Sequence, residues 1–181
     1  SLLNALLGRR IAKTSGTPGK TRALNVYVAE VSADAPGRAR SAGSEPRPRG
    51  PAPQTVYLLD LPGYGYARVS KHDRDAFARL VRHVLARPRL AGAVWLLDVR
   101  RDPSAEDRAM LDRLAQSRTA VLAAVTKADK VPRGRRATRV RAIRDDLALD
   151  AEQVVTTSAR TGDGIQELAE AIQAFVAAVP S

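Results

Sequence analysis

Residues 119 to 129 read TAVLAAVTKAD, an apolar run of strand length that ends in Thr126, Lys127 and Asp129. Residues 119–126 form a short, nearly continuous apolar run and show no alternation, the pattern of a strand covered on both faces, as in a parallel sheet. The polar end has a chemistry of its own. A carboxylate such as Asp129 can accept both N1–H and the 2-amino group of a guanine in one bidentate pair. The alkyl stem of Lys127 can lie over the base plane. Adenine lacks both donors and would leave the carboxylate unpaired, so such a site would discriminate strongly. The competing reading is an ordinary polar turn between a strand and a helix.

Similar runs occur on either side, at residues 55–60 (TVYLLD), 91–98 (AGAVWLLD) and, more weakly, 153–157 (QVVTT). Residues 23–31 (ALNVYVAEV) instead alternate Leu24, Val26 and Val28 with Asn25, Tyr27 and Ala29, as in an edge strand with one wet face. Helical spacing separates the runs. Leu2, Leu3, Leu6 and Leu7 form a first apolar face, and residues 73–86 a second helix. A third helix is expected to begin at Pro103 with Asp102 as its N-cap, a fourth to cover 135–147 and a fifth 165–178. Strand and helix alternating in this way predict an α/β sandwich of three layers, mostly parallel with one antiparallel edge strand.

The chain has 181 residues, the length of one domain with a proper core. Its segment 33–54 (ADAPGRARSAGSEPRPRGPAPQ) is rich in Pro, Gly, Ala and Arg and is expected to be a disordered insertion. With no Cys and two His, thiolate metal sites, disulfides and a His cluster are excluded. No apolar run approaches the roughly 18 to 20 residues of a membrane span, and no secretion signal is legible, so a soluble, cytoplasmic protein is expected. The net charge of +11 makes nucleic acid the first partner to consider. A solvated, Arg-rich surface from genomic bias is the alternative.

Three further motifs share the order of the strands. Asp60 ends the 55–60 run and Gly63 follows three residues later; there a carboxylate can reach Mg²⁺ through water while a glycine N–H meets a γ-phosphate. Thr157, Ser158 and Ala159 follow the last strand, where a backbone N–H would meet guanine O6. Thr21, in the loop TPGKTR at 17–22, is a candidate hydroxyl ligand to Mg²⁺ in a nucleotide-sensing switch. Each has a bland reading as a turn. Their order along the chain is what singles them out, and it resembles that of the translation-factor-related P-loop GTPases.

The stretches between the motifs narrow the resemblance. TPGKTRALNVY, DLPGYGYARVS, LLDVRRDPSAEDRAML and VTKADKVPRG look like the EngB-type bacterial ribosome-assembly GTPases, also called YihA or YsxC. The resemblance covers nearly the whole chain outside 33–54 and implies a P-loop NTPase fold in a single G domain spanning 1–181. It implies a monomer that binds GTP and GDP with Mg²⁺, hydrolyses GTP slowly, assists assembly of the large ribosomal subunit and is needed for cell division and septation. Carried over by position, Gly19, Lys20, Thr21 and Arg22 belong to the first switch, with Thr21 on the metal. Asp60, Leu61, Pro62 and Gly63 contact phosphate and the metal's water. Thr126, Lys127, Ala128 and Asp129, with Thr157, Ser158 and Ala159, hold the base.

Two departures qualify this. Tyr64 stands where many small GTPases carry a water-orienting Gln, so no catalytic base is named and low intrinsic turnover is expected. The family's G-x-x-x-x-G-K-S loop would precede Ser1, so by resemblance the chain is expected to be truncated after that loop, without the first strand. Two alternatives remain: a nucleotide-independent RNA-binding module, carried by Arg133, Arg135, Arg136, Arg139, Arg141 and Arg144, or another GTPase of the same superclass.

Overall fold

A computed structural model of the chain describes residues 2–8, 24–31, 54–63 and 71–179. In chain order it contains α1 (Leu2–Leu6), β1 (Asn25–Val31), β2 (Gln54–Asp60), α2 (Lys71–Leu85), β3 (Ala93–Asp98), α3 (Ala105–Gln116), β4 (Val121–Thr126), α4 (Arg133–Asp146), β5 (Val154–Thr156) and α5 (Ile165–Ala177). Short 3₁₀ turns at Ala128–Lys130 and Ala151–Gln153 lead into α4 and β5. The expected insertion at 33–54 lies outside the described residues except for Gln54, which opens β2.

The strands form an antiparallel pair, β1–β2, and a parallel sheet in the order β3–β4–β5. β4 is the middle strand, and its lack of alternation has the expected cause, since both its faces are covered. Ala123 and Val125 pack into one cluster with Trp95, Leu97, Met110 and Ile143, under α2, α3 and α4. Leu122 and Ala124 face the other way, against Val155 and Leu168, with Leu2 and Leu6 of α1 and Phe175 of α5 around them. Two apolar cores on opposite sides of one sheet make the three layers.

Two local expectations change. Asp102 does not cap α3: Ser104 does, its Oγ accepting from the Asp107 N–H at 3.1 Å while the Asp107 carboxylate accepts from the Ser104 N–H at 2.8 Å. This reciprocal capping box satisfies donors at both ends of the first turn, and Asp102 instead pairs with Arg139. In β1 Val26 and Val28 are on the wet side, about half exposed at 54% and 50%, while Ala29 is buried.

Candidate functional site

The parallel register of β3, β4 and β5 sets Asp98 beside Thr126 and Val125 beside Thr156, so the carboxyl ends of the three strands finish at one edge. Sites in open α/β sheets form outside such ends. Thr126 fastens the edge, its Oγ1 donating to the Leu97 carbonyl at 2.9 Å. The chain then turns sharply at Lys127, which adopts the left-handed conformation with φ 62° and ψ 34°. That turn sends the Lys127 side chain back toward β3, where Nζ meets Asp98 Oδ2 at 2.9 Å.

Ala128 is buried, and its N–H donates to the Thr157 carbonyl at 3.1 Å, joining the two loops. Thr157 in turn donates its N–H to the Val125 carbonyl at 2.8 Å, and Thr157 and Ser158 are wholly buried. The hydroxyl of Ser158 donates to Asp129 Oδ1 at 2.8 Å and accepts from the Thr161 N–H at 3.2 Å. Asp129 is therefore held by one oxygen. Its other oxygen, Oδ2, is buried and takes no hydrogen bond, with Lys130 Nζ at 3.5 Å and Arg160 Nη1 at 3.6 Å as its nearest cations. The Ser158 hydrogen bond lowers the Asp129 pKa below the usual carboxylate value, burial works against it, and the charge of Lys130 assists.

Asp98 had no role assigned from the sequence, where the Lys127 stem had a place over the base without a charge partner. In the structure Asp98 collects Arg100 Nε at 2.9 Å, Arg100 Nη2 at 2.6 Å and Lys127 Nζ at 2.9 Å. The Arg100 hydrogen bonds hold its carboxyl well below the usual carboxylate range; burial opposes and Lys127 reinforces. Reciprocally, Asp98 raises the Arg100 guanidinium. The D-x-R spacing in LLDVRRDP was the available signal, since it puts the Arg two residues from an Asp at a strand end.

The structure thus brings Thr126, Lys127, Ala128, Asp129, Thr157 and Ser158 into one bonded group, with half-buried Ala159 next in the chain. Asp60, Leu61, Pro62 and Gly63 stand at the carboxyl end of β2, where Leu61 packs against the larger core and Gly63 is exposed. No hydrogen bond joins them to the Asp129 group among the described residues. Gly19, Lys20, Thr21, Arg22 and Tyr64 lie outside the described residues. Asp60 offers one hard oxygen donor, which suits an ion such as Mg²⁺ that takes few protein ligands and keeps waters and phosphate oxygens. No cluster of three or more metal-ligating side chains occurs among the described residues.

The arginines of α4 divide into two sets. Arg136 donates to the Val131 carbonyl and pairs with Asp163, Arg139 donates to the Val99 carbonyl and pairs with Asp102, and Arg144 pairs with Asp145. Arg133, Arg135 and Arg141 are exposed and make no side-chain bond among the described residues. Three of the six arginines are therefore already paired, and two of them, Arg136 and Arg139, tie α4 to distant parts of the chain.

A sequence profile for the family described as "50S ribosome-binding GTPase" matches residues 1–127. A probable GTP-binding protein EngB of Heliobacterium modesticaldum is 37% identical over 178 residues, 97% of this chain and 76% of that protein. The protein of the same name from Gemmatimonas aurantiaca is 38% identical over 179 residues, covering 98% and 76%. Among solved structures, a probable GTP-binding protein EngB superposes with a TM-score of 0.64 at 15% identity, covering 97% of this chain and 90% of that one, and so shares its fold. No described helix is long and apolar enough to cross a membrane. With the profile match and the two relatives in agreement, the chain belongs to the EngB family of GTP-binding proteins, GTP hydrolases built on the P-loop GTPase fold.

Proposed function

We propose that this protein is a Mg²⁺-dependent switch that binds GTP and GDP through Asp129 and acts on the large ribosomal subunit during its assembly, as a cytoplasmic monomer needed for normal cell division and septation. The observation that carries the base-binding part is the asymmetric state of Asp129: one oxygen fixed by Ser158, the other buried without a hydrogen bond. An ionised carboxylate held in this way is ready to accept two donors from a guanine edge. Thr126, Ala128, Thr157 and Ala159 shape the walls, Lys127 covers one face of the base, and Asp60 to Gly63 meets phosphate and the water of the metal. Thr21 is the proposed hydroxyl ligand of that metal, within the switch stretch Gly19 to Arg22. Residues 1–181 act as one G domain, with an insertion that ends before Gln54 opens β2.

The ribosomal part rests on the family description and on the net charge of +11. Calorimetric GDP binding tests the base site. Asp129→Asn should abolish GDP binding and confer binding of xanthosine diphosphate, whose 2-oxo group suits an amide donor; unchanged GDP affinity would refute the assignment. Depletion in cells should accumulate large-subunit precursors and give filaments with failed septa.

A further inference from the structure

Between α2 and α3 lies an open cleft of about 750 Å³ whose lining includes Arg79 and Arg82 from α2 and Arg113 from α3. None of the three has a carboxylate or carbonyl partner among the described residues. Among the described residues the lining holds one carboxylate, Asp75, so positive charge is in excess there. This sets the cleft apart from α4, where Arg136, Arg139 and Arg144 are already neutralised by neighbours. The three unbonded arginines of α4 are not gathered in the same way. Arg141 lines a smaller hollow of about 260 Å³ beside the paired Arg136 and Arg144, and Arg133 and Arg135 are not on its wall.

We propose that the α2–α3 cleft is an RNA-docking surface that takes the phosphate backbone on Arg79, Arg82 and Arg113. The inference rests on the ribosomal reading above for its choice of RNA and moves the contact from the helix that looked most basic in the sequence to one whose charges are unanswered. Every cation that the described residues bring to the cleft is an arginine, whose planar fork bonds phosphate oxygens two at a time and sheds water more easily than an ammonium. A membrane surface fits poorly. Binding in the headgroup plane needs apolar side chains to insert, and among the described residues the large exposed apolar ones, Val26, Val28, Tyr57 and Leu96, all belong to strands. A protein partner would be centred on a buried aromatic or aliphatic anchor, and among the described residues the one large apolar side chain in the cleft is the half-buried Leu85.

The test measures binding of the full chain, with GDP present, to purified large ribosomal subunits and to naked large-subunit RNA across a salt series. Two triple variants of equal charge are compared: R79Q/R82Q/R113Q in the cleft and R133Q/R135Q/R141Q on α4. The cleft triple should bind both probes at least tenfold more weakly and lower the slope of log K against log salt by about 2 to 3, one for each phosphate that is no longer neutralised. The α4 triple should weaken binding clearly less. Should the cleft triple fail to fold, each single Gln variant should still lower the slope by about 1, and R79K/R82K/R113K should keep the slope while binding more weakly. Equal weakening in the two triples, or an unchanged cleft triple, would overturn the proposal while leaving the ribosomal reading in place. Weakened binding to subunits with naked RNA unaffected would also overturn it, in favour of a ribosomal protein as the partner. A wild-type chain that binds neither probe would overturn the ribosomal reading itself, and the proposal with it.

Discussion

Lys127 Nζ lies 2.9 Å from Asp98 Oδ2, across the registered ends of β4 and β3. The ammonium is half exposed and the carboxylate mostly covered, at 53% and 16%. Asp98 therefore acts as the fixed point and Lys127 as the part it positions. Replacing Asp98 with Asn should weaken GDP binding about five- to tenfold by releasing the Lys127 stem, the size expected for losing one ordinary net hydrogen bond, since the Lys127 ammonium is half exposed. Calorimetry on D98N and D98N/K127A checks this: once the lysine is gone, removing its anchor should cost little more affinity.

The same carboxylate gives a pH dependence of fixed sign. Its folded pKa lies below the usual value of about 3.9 that it regains on unfolding. The stabilisation it brings is complete well above pH 4 and is lost as pH falls below that toward the folded value. Urea denaturation should show wild type more stable than D98N by about 1–2 kcal/mol at pH 7, with the gap narrowing at pH 3.5. A gap that widens in acid would be the wrong sign.

Ser158→Ala should leave the fold intact, because the Ser158 backbone keeps its bonds to Asp163 and Gly162. Asp129 loses the bond to Oδ1, its pKa rises toward the ordinary range, and its carboxylate is free to rotate. GDP affinity should fall about 5- to 30-fold, corresponding to about 1–2 kcal/mol. Thermal melting alongside nucleotide titration separates this from unfolding.

Gly164 and Gly162 provide a matched pair. Both have positive φ, +67° and +83°, but a Cβ on Gly164 would come within 2.0 Å of the Thr156 carbonyl oxygen, whereas one on Gly162 would meet nothing within 4 Å. Gly162→Ala should cost about 1 kcal/mol from the backbone alone. Gly164→Ala should cost more than about 2 kcal/mol and also disturb GDP binding, because the loop it would push carries Ser158.

Ser104→Ala should destabilise the protein by about 1 kcal/mol through loss of the α3 cap. Asp102→Ala removes a pair whose carboxylate is 85% exposed and should cost less. Chemical denaturation of the two variants orders them; the reverse order would restore Asp102 as the cap.

The strands were legible as apolar runs without period, but only β4 is covered on both faces as such a run predicts; Leu96 of β3 and Tyr57 of β2 are exposed, at 53% and 67%, so there the run marked a strand and not double burial. The boundaries of α2, α4 and α5 were legible to within about two residues, but the start of α3 was not. Asp102, Pro103 and Ser104 all carry start signals, and only the position of Asp107 three residues after Ser104 decides among them. In the candidate site, residue type and order pointed to Asp129 and Ser158, while the Ser158 bond to Asp129 spans 29 positions and has no local signature. Asp98 was missed for the same reason, since its link to Lys127 depends on strand register. The arginines of α4 were the least legible, because a sequence counts charges without showing which are already neutralised.

Trp95 is the single tryptophan of the chain, and it is buried in the larger core on β3, three residues before Asp98. The protein thus carries its own optical reporter, an indole shielded from water on the strand that leads to the proposed base site. Its emission should shift to the red on unfolding with no competing tryptophan signal, so the stability of every variant above can be followed on unlabelled protein.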